Sequence, residues 1–416
     1  MRKRRIRPVT LILLIPALFL GVLGWSVYVQ FRHDYLDRSL IAAIQSKQTD
    51  VALAWLARGA DVNARSSATA RSMSLLDWLK ILVGRKARPK YDGPSALVLA
   101  VQNNETPIVQ ALLARGARDV NSRTQDGNPL LVVAARYRNP TIVNALLNRH
   151  ADANARDQGE TALMVAASNE DPASVRLLLD HGADVNARCG NRYTALVAAA
   201  SVTCLEDQNL QKHQWQKVAK SPPVYKVLKL LLDYGADIDA QDFDGYTALY
   251  HIADLHDAKC EKLLLDRGAN IEIKGRFGIT ALSSAVENGR TDLVRALLAR
   301  GADPNQKHNR HDITVLMDAA ANGDMEMVKL LLDRGAKVNE QDDGSFGTAL
   351  VAAVMKHGPI KLVRLLLNHG ASVNVRDIRE RTALDWAQEN NDTPAIALLK
   401  QYGAQGHSIR WLQEHD

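Results

Sequence analysis

The fold is decided by a stretch that reads TALSSAVENGRTDLVRALLARGADPN, residues 280–305. Thr280 stands where its hydroxyl can accept hydrogen bonds from the first backbone amides of a short helix. Ala281 and Leu282 begin a small apolar face on that helix, which allows a neighbouring helix to approach closely. The helix is expected to end near Gly289, because glycine is a poor helix former.

A second helix follows in the same stretch. Its apolar positions are Leu293, Val294, Leu297 and Leu298, the spacing of an amphipathic helix. Gly301 is placed to adopt the left-handed conformation that commonly ends a helix. Neither helix can bury its apolar face alone, so the pattern predicts that such helix pairs stack side by side.

The phrase that ends the second helix returns along most of the chain. Two intervals between its copies are longer than the rest, which places insertions at about residues 66–92 and 202–223. The array is therefore predicted to cover residues 39–404 with about ten helix-turn-helix units. The helix-ending glycines are Gly59, Gly116, Gly182, Gly235, Gly268, Gly301, Gly335, Gly370 and Gly403, and His150 takes the place of one of them.

These units resemble the ankyrin repeat. The first-helix phrase Thr-Ala-Leu begins at residues 161, 194, 247, 280, 348 and 382, and the second-helix phrase reads LLLDHGA at 177–183. The resemblance covers nearly everything after residue 38 and implies an all-α ankyrin-repeat solenoid with finger loops between successive units. In the family, a histidine after the first-helix phrase usually ties neighbouring finger loops together. That histidine is absent here, so somewhat looser finger loops are expected.

The net charge of +6 is concentrated at the N-terminus. Arg2, Lys3, Arg4, Arg5 and Arg7 precede residue 9, and without them the chain carries a net charge of only +1. A nucleic-acid-binding domain normally keeps its basic excess on one folded face. The charge distribution therefore argues against nucleic acid as a partner.

Residues 9–31 contain no charged side chain, and as a helix they are long enough to cross a hydrocarbon core of about 30 Å. After the basic flank 1–8, this segment is predicted to be a single-pass signal anchor with a cytoplasmic N-terminus. The repeat domain would then lie outside the cytoplasm, most simply in a bacterial periplasm, with the anchor in the inner membrane. Two alternatives stay open: a cleaved signal peptide, and an inverted scaffold whose repeats face the cytoplasm.

The two insertions carry different patterns. Between residues 72 and 90 the first insertion combines leucines at helical spacing with basic residues. It predicts either an amphipathic helix that rests on anionic lipid or a helix packed on the first repeats as extra capping. The second insertion is polar and ends in a proline pair, which indicates an extended first helix or a protruding arm. The tail, residues 405–416, is expected to cover the last unit.

No motif for phosphate, dinucleotide or acyl-transfer chemistry occurs in the sequence, so the chain is interpreted as a non-enzyme without a cofactor. His308 and His311 have the spacing H-x-x-H but lack a third clustered ligand, so no metal site is predicted. Cys260 falls on the buried face of a second helix and is expected to be a core residue. An enzyme or metal-binding protein that uses the insertions is the less favoured alternative.

Binding of a protein partner is the favoured function. The ankyrin resemblance implies that specificity lies in the finger-loop tips and on the exposed, concave face of the first helices. Aromatic and arginine side chains are the usual energetic anchors of protein interfaces. The cluster from Tyr193 to Ile279 crosses three consecutive units and is predicted to be the central contact. The candidate residues are Arg192, Tyr193, Phe243, Asp244, Tyr246, Arg276, Phe277, Ile279, Arg310, His311, Ile313, Phe346, Arg379 and Arg381.

Overall fold

The structure is a computed structural model that describes residues 8–67, 74–82, 91–190, 193–201, 222–309, 311–344 and 346–407. The chain forms two compact units, Met1–Asp184 and Val185–Asp416, which we call the N-terminal unit and the C-terminal unit. In both units short helices follow one another in pairs, as the repeat predicts.

The N-terminal unit begins with a helix far longer than those that follow it. Its helices are α1 (Pro8–Gln45), α2 (Thr49–Ala57), α3 (Leu75–Leu82), α4 (Ala96–Gln102), α5 (Thr106–Ala114), α6 (Leu130–Arg136), α7 (Pro140–Leu147), α8 (Ala162–Ser168) and α9 (Pro172–Asp180). One finger loop forms a short antiparallel hairpin of β1 (Arg156–Asp157) and β2 (Glu160–Thr161).

The C-terminal unit continues the same alternation. Its helices are α10 (Ala195–Ala200), α11 (Pro222–Asp233), α12 (Ala248–Leu255), α13 (Ala258–Asp266), α14 (Ala281–Glu287), α15 (Thr291–Ala299), α16 (Val315–Ala321), α17 (Met325–Asp333), α18 (Ala349–Met355), α19 (Ile360–Asn368), α20 (Ala383–Glu389) and α21 (Thr393–Gln401). Strands β3 (Lys307–His308) and β4 (Ile313–Thr314) form an antiparallel hairpin, and a 3₁₀ turn covers Arg276–Gly278.

Helix ends follow the predicted signals. The Thr280 hydroxyl accepts a hydrogen bond from the backbone amide of Ser283 at 3.3 Å, which confirms the predicted cap of α14. Gly301 has a φ angle of 91°, the left-handed conformation expected after α15. His150, which replaces a helix-ending glycine, adopts the same region with a φ of 62°. This position therefore adopts the left-handed conformation even where a side chain makes that conformation less favourable.

The core lies between the helices of each pair and between successive pairs. Leu282 on α14 and Leu297 on α15 are fully buried, as the amphipathic pattern predicts. The small residue Ala285 is also fully buried, because neighbouring helices approach closely on this side. Cys260 is fully buried on α13, which confirms its predicted place in the core.

The asparagine of the repeated phrase ties one turn to the next. The Asn305 side chain accepts a hydrogen bond from the Lys337 amide at 2.8 Å and donates one to the Gly335 carbonyl at 3.2 Å. Asn339 makes the same two contacts one unit later, with Ser372 and Gly370. These contacts satisfy polar backbone groups at helix ends, which explains why the phrase recurs in register with the helices.

Helix α1 passes without interruption through the segment 9–31 that the sequence predicts as an anchor. Its C-terminal part belongs to the first repeat, where Leu40 and Ile44 are fully buried. Within the described part of the chain, no helix combines enough length with enough apolar character to cross a membrane. The structure therefore gives no support to the predicted anchor. Residues 1–7 of the basic flank lie outside the described residues.

The first insertion places α3 in contact with α1, the arrangement expected of a helix packed on the first repeats. The basic residues at 85–90, on which the lipid alternative depends, lie outside the described residues, as does 202–221 of the second insertion. At the C-terminus, the amide of Gln405 donates to the Asn374 side chain at 2.6 Å, so the described start of the tail occupies the place of a following unit. Residues 408–416 of the tail also lie outside the described residues.

Candidate functional site

Five finger loops of the C-terminal unit carry most of the predicted contact residues. We call them the 242 finger (242–246), the 276 finger (275–279), the 308 finger (307–314), the 342 finger (342–347) and the 377 finger (377–381). Each returns on itself through a backbone hydrogen bond. In the 242 finger the Asp242 amide donates to the Tyr246 carbonyl at 3.0 Å, and in the 276 finger Gly275 donates to Ile279 at 2.8 Å.

Neighbouring finger tips are joined by their backbones. The Arg276 amide donates to the Asp244 carbonyl at 2.6 Å, and the Asn309 amide donates to the Phe277 carbonyl at 2.7 Å. The Asp343 amide likewise donates to the carbonyl of His311 at 3.1 Å. These bonds connect the loops without the histidine that usually does so in ankyrin repeats. The prediction of looser finger loops did not take these backbone hydrogen bonds into account.

Asp242 organises the 242 finger. Its Oδ1 accepts hydrogen bonds from the amides of Asp244 and Tyr246, both at 2.9 Å. Its Oδ2 lies 2.8 Å from Nε2 of His251 on α12. Burial alone would raise the pKa of Asp242, but the His251 hydrogen bond and the backbone amides outweigh it and lower the pKa below the ordinary value. The ionised carboxylate thus holds the loop against the first helix.

An aromatic stack lies beside this carboxylate. The rings of Tyr246 and Tyr250 are 4.0 Å apart and nearly parallel, with an interplanar angle of 11°. The His251 ring packs edge-on against both. Burial is the main cause that raises the pKa of Tyr250 far above its ordinary value, so both phenols stay neutral at physiological pH.

The tips of the 242 and 276 fingers expose apolar rings. Phe243 is 75% exposed and Phe277 is 42% exposed. The Arg276 guanidinium lies 4.9 Å from the Phe277 ring centroid, and its Nη1 forms an ion pair with Asp244 Oδ1 at 3.2 Å. Phe277 has a φ of 60°, an unfavourable region for an aromatic residue, so the loop holds this ring outward at some cost.

Of the fourteen predicted contact residues, twelve fall into three groups. Phe243, Asp244, Tyr246, Arg276, Phe277 and Ile279 come together on the 242 and 276 fingers, linked by the contacts above. Tyr193, His311, Phe346 and Arg379 lie on other fingers, half-buried or exposed. Arg192 and Arg310 lie outside the described residues.

Two predicted contacts are not available to a partner. Ile313 is 8% exposed, because β4 carries it inward at the start of α16. Arg381 is 3% exposed; its guanidinium pairs with Glu389 and lies 4.8 Å from the Trp386 ring centroid. The prediction that these side chains are exposed is wrong, since both serve the interior of their own repeat.

Tyr250 and His251 complete the surface, and sequence reasoning missed them. They directly follow the phrase Thr247-Ala248-Leu249. After the same phrase at 161, 194, 280 and 348 these two positions hold small or apolar residues, and after the phrase at 382 they hold Asp385 and Trp386. A polar aromatic pair in that position was the available signal, because the first helix presents this side to the finger loop.

Apart from His251, the histidines and cysteines discussed above lie away from this surface. His308 Nε2 lies 2.8 Å from Asp318 Oδ2 in the interior of the 308 finger, whereas exposed His311 faces Asp343 at 3.9 Å. In the described ranges, no group of three or more His, Cys, Asp or Glu side chains is arranged to hold a metal ion. Cys189 is a free thiol, and the buried Cys260 thiol donates a hydrogen bond to Asp257 Oδ2 at 3.2 Å.

The chain is similar to several known proteins. A family model described as ankyrin repeats (three copies) matches residues 68–157, 131–207, 217–308 and 316–409, which is well over half of the chain. The BTB/POZ domain and ankyrin repeat-containing proteins NH5.2 and NH5.1 of Oryza sativa subsp. japonica are 44% identical to it over 66 residues. That match covers 16% of this chain and only 13% of each of those proteins. The crystal structure of the ankyrin repeat domain of Bcl-3, a member of the IkappaB protein family, is 30% identical with a TM-score of 0.46, covering 58% of this chain and 99% of that one.

Proposed function

Since the chain belongs to the ankyrin-repeat family, we propose that it binds a protein partner through the concave side of the C-terminal unit, centred on the 242 and 276 fingers. Ankyrin-repeat domains serve protein–protein interaction, and such repeats offer an extended docking surface rather than a closed reaction chamber. The proposal adds where on this chain the partner lies and which side chains it meets.

One observation carries the proposal: two adjacent finger tips hold aromatic rings in solvent. A ring that is 75% exposed, as Phe243 is, contributes little to the stability of the fold. Phe277 is held outward in a strained backbone conformation and is flanked by Arg276. Aromatic and arginine side chains that become buried on binding dominate the energy of most protein interfaces. The two tips are joined by a backbone hydrogen bond, so a partner meets a preorganised surface.

The test is capture of the native partner from cells by crosslinking, followed by pull-down with wild-type and altered chains. Changing Phe243, Tyr246 and Phe277 together to alanine is expected to abolish capture. Met325→Ala is the matched control, because Met325 is 46% exposed but begins α17, at the far end of α16 from its finger. Circular dichroism of both proteins checks that the repeats stay folded. Capture that survives the triple change would place the partner elsewhere.

We further propose that residues 9–31 anchor the chain in the inner membrane with the repeats outside the cytoplasm. This rests on the sequence, in which five basic residues precede an uncharged segment. An alkaline-phosphatase fusion at the C-terminus should be active, and the chain should stay in the membrane fraction after carbonate extraction. An inactive fusion on a membrane-bound chain would favour the cytoplasm-facing scaffold, and a soluble chain of reduced mass would favour a cleaved signal peptide.

A further inference from the structure

The surface of the two fingers continues along the first helices behind them. Tyr250 on α12 stacks on Tyr246 of the finger, and Asp254 follows one helical turn later on the same face. Glu287 lies at the corresponding end of the next first helix, α14. The surface therefore runs from exposed apolar rings at the finger tips to carboxylates at the helix ends.

Two exposed carboxylates lie at these helix ends. Asp254 and Glu287 are both exposed, and Asp254 accepts a hydrogen bond from the Asn288 side-chain amide at 3.1 Å. Across the described ranges, neither of them takes part in an ion pair, in contrast with Asp244, which pairs with Arg276. Arg290, the basic residue that follows α14, is bound to the buried Glu261 at 2.5 Å and donates a hydrogen bond to the Ala253 carbonyl at 2.9 Å.

The aromatic pair and these carboxylates form one electrostatic neighbourhood. Burial raises the pKa of Tyr250 most, and the neighbouring Tyr246, Asp254 and Glu287 raise it further. The Asn288 side chain, next to Glu287, bonds Asp254 at 3.1 Å, so the two carboxylates lie at neighbouring helix ends, with Asp254 one turn after Tyr250. A neutral aromatic face beside two negative charges attracts a cation through both its ring quadrupole and the full charges.

We propose that this surface takes an extended partner segment that sets an apolar side chain against Phe243 and Phe277 and a lysine or arginine side chain against Tyr250, Asp254 and Glu287. The inference rests on the proposed function and adds the chemistry of the partner. Charge complementarity at one end and apolar contact at the other fix the direction in which the segment lies. Acidic segments are repelled from the helix ends.

A phage-displayed library of random peptides, panned against the full chain, tests this directly. The selected peptides are expected to combine an aromatic or leucine side chain with a lysine or arginine. A fluorescein-labelled copy of the best one should bind about tenfold more weakly to Asp254→Asn/Glu287→Gln, which loses two partly screened charge contacts. The control variant Asp292→Asn/Asp333→Asn removes the same charge from exposed carboxylates on second helices and should bind within about twofold of wild type.

Several outcomes overturn the inference. They are selection of acidic or purely apolar peptides, failure to select any peptide, and unchanged affinity in the Asp254/Glu287 variant. If the wild-type chain self-associates and this variant does not, the occupant of the surface is a second copy of the chain. If Phe243→Ala/Tyr246→Ala/Phe277→Ala loses the peptide while the neutralised variant keeps it, the proposed surface stands and only the basic segment is wrong. If the triple variant also keeps the peptide, both proposals fail.

Discussion

The 242 finger and the 377 finger share one pattern of hydrogen bonds, but the side chain at the end of each loop takes a different direction. Asp377 repeats every contact of Asp242: its Oδ1 accepts the amides of residues 379 and 381 at 2.8 and 3.0 Å, and its Oδ2 accepts a hydrogen bond from a ring nitrogen on the following helix. In the 242 finger that ring is His251 at 2.8 Å, and in the 377 finger it is Trp386 at 2.7 Å. One aspartate and a ring nine residues later thus build both loops.

The difference lies in the residue just before the capping threonine. Tyr246 leaves the interior and stacks on Tyr250 at the surface, whereas Arg381 turns inward, pairs with Glu389 and covers Trp386. Equivalent positions in a repeat therefore share their backbone role without sharing their availability to a partner. The following changes test that distinction, from the largest expected effect on stability to the smallest.

Asp377→Ala should destabilise the chain most, by about 3 kcal/mol, because it removes one acceptor from two backbone amides and from the Trp386 ring nitrogen. Urea unfolding measures the loss, and hydrogen exchange of the amides of Arg379 and Arg381 shows where it occurs. Asp377→Asn is the control, since its remaining oxygen can still accept from both amides. Unchanged exchange at these two amides would mean that the loop keeps its shape without the carboxylate.

Arg381→Ala should cost about 2 kcal/mol, because it leaves Glu389 without its partner and uncovers the Trp386 ring. Tyr246→Ala, at the equivalent position, should cost about 1 kcal/mol, the worth of one ring contact with Tyr250. Thermal unfolding of the two variants side by side compares them. Partner capture should fall only for Tyr246→Ala. The reverse pattern, with binding lost through Arg381, would show that burial in the free chain does not predict availability.

The pH dependence of the 242 finger follows from the lowered pKa of Asp242. Because the folded pKa lies below the unfolded value of about 3.9, the carboxylate stabilises the fold above that pH and loses its contribution as the pH falls through the folded pKa. Asp242→Asn should therefore melt at a lower temperature than wild type near pH 7, and the gap should close on acidification. Asp333→Asn provides the comparison, since Asp333 is exposed on α17. A gap that is constant with pH would show that the charge of Asp242 is not what holds the loop.

The sequence predicts the parts of this comparison that the backbone imposes. Thr280 as a cap, Gly301 as a left-handed helix end and Leu282 in the core follow from local propensity and periodicity, and the structure confirms all three. The inward turn of Arg381 does not follow, because it depends on Glu389 lying opposite after the chain has folded back. The spacing of nine residues between Asp242 and His251 recurs between Asp377 and Trp386, so it could have served as a signal.

The smallest effect on stability is expected for the two most exposed apolar tips, Phe243 and its counterpart Ile378, which is 68% exposed. Changing either to alanine should alter the free energy of unfolding by less than about 0.5 kcal/mol, since neither side chain is buried by the fold. Because neither change alters stability much, a difference between the two variants in partner binding reflects the contact itself. Affinity measured with the captured partner should fall for Phe243→Ala and stay the same for Ile378→Ala, because only the first lies beside Arg276 and the Tyr246–Tyr250 stack. A loss with Ile378→Ala alone would move the partner to the 377 finger, and a loss with both would extend the docking surface along the whole C-terminal unit.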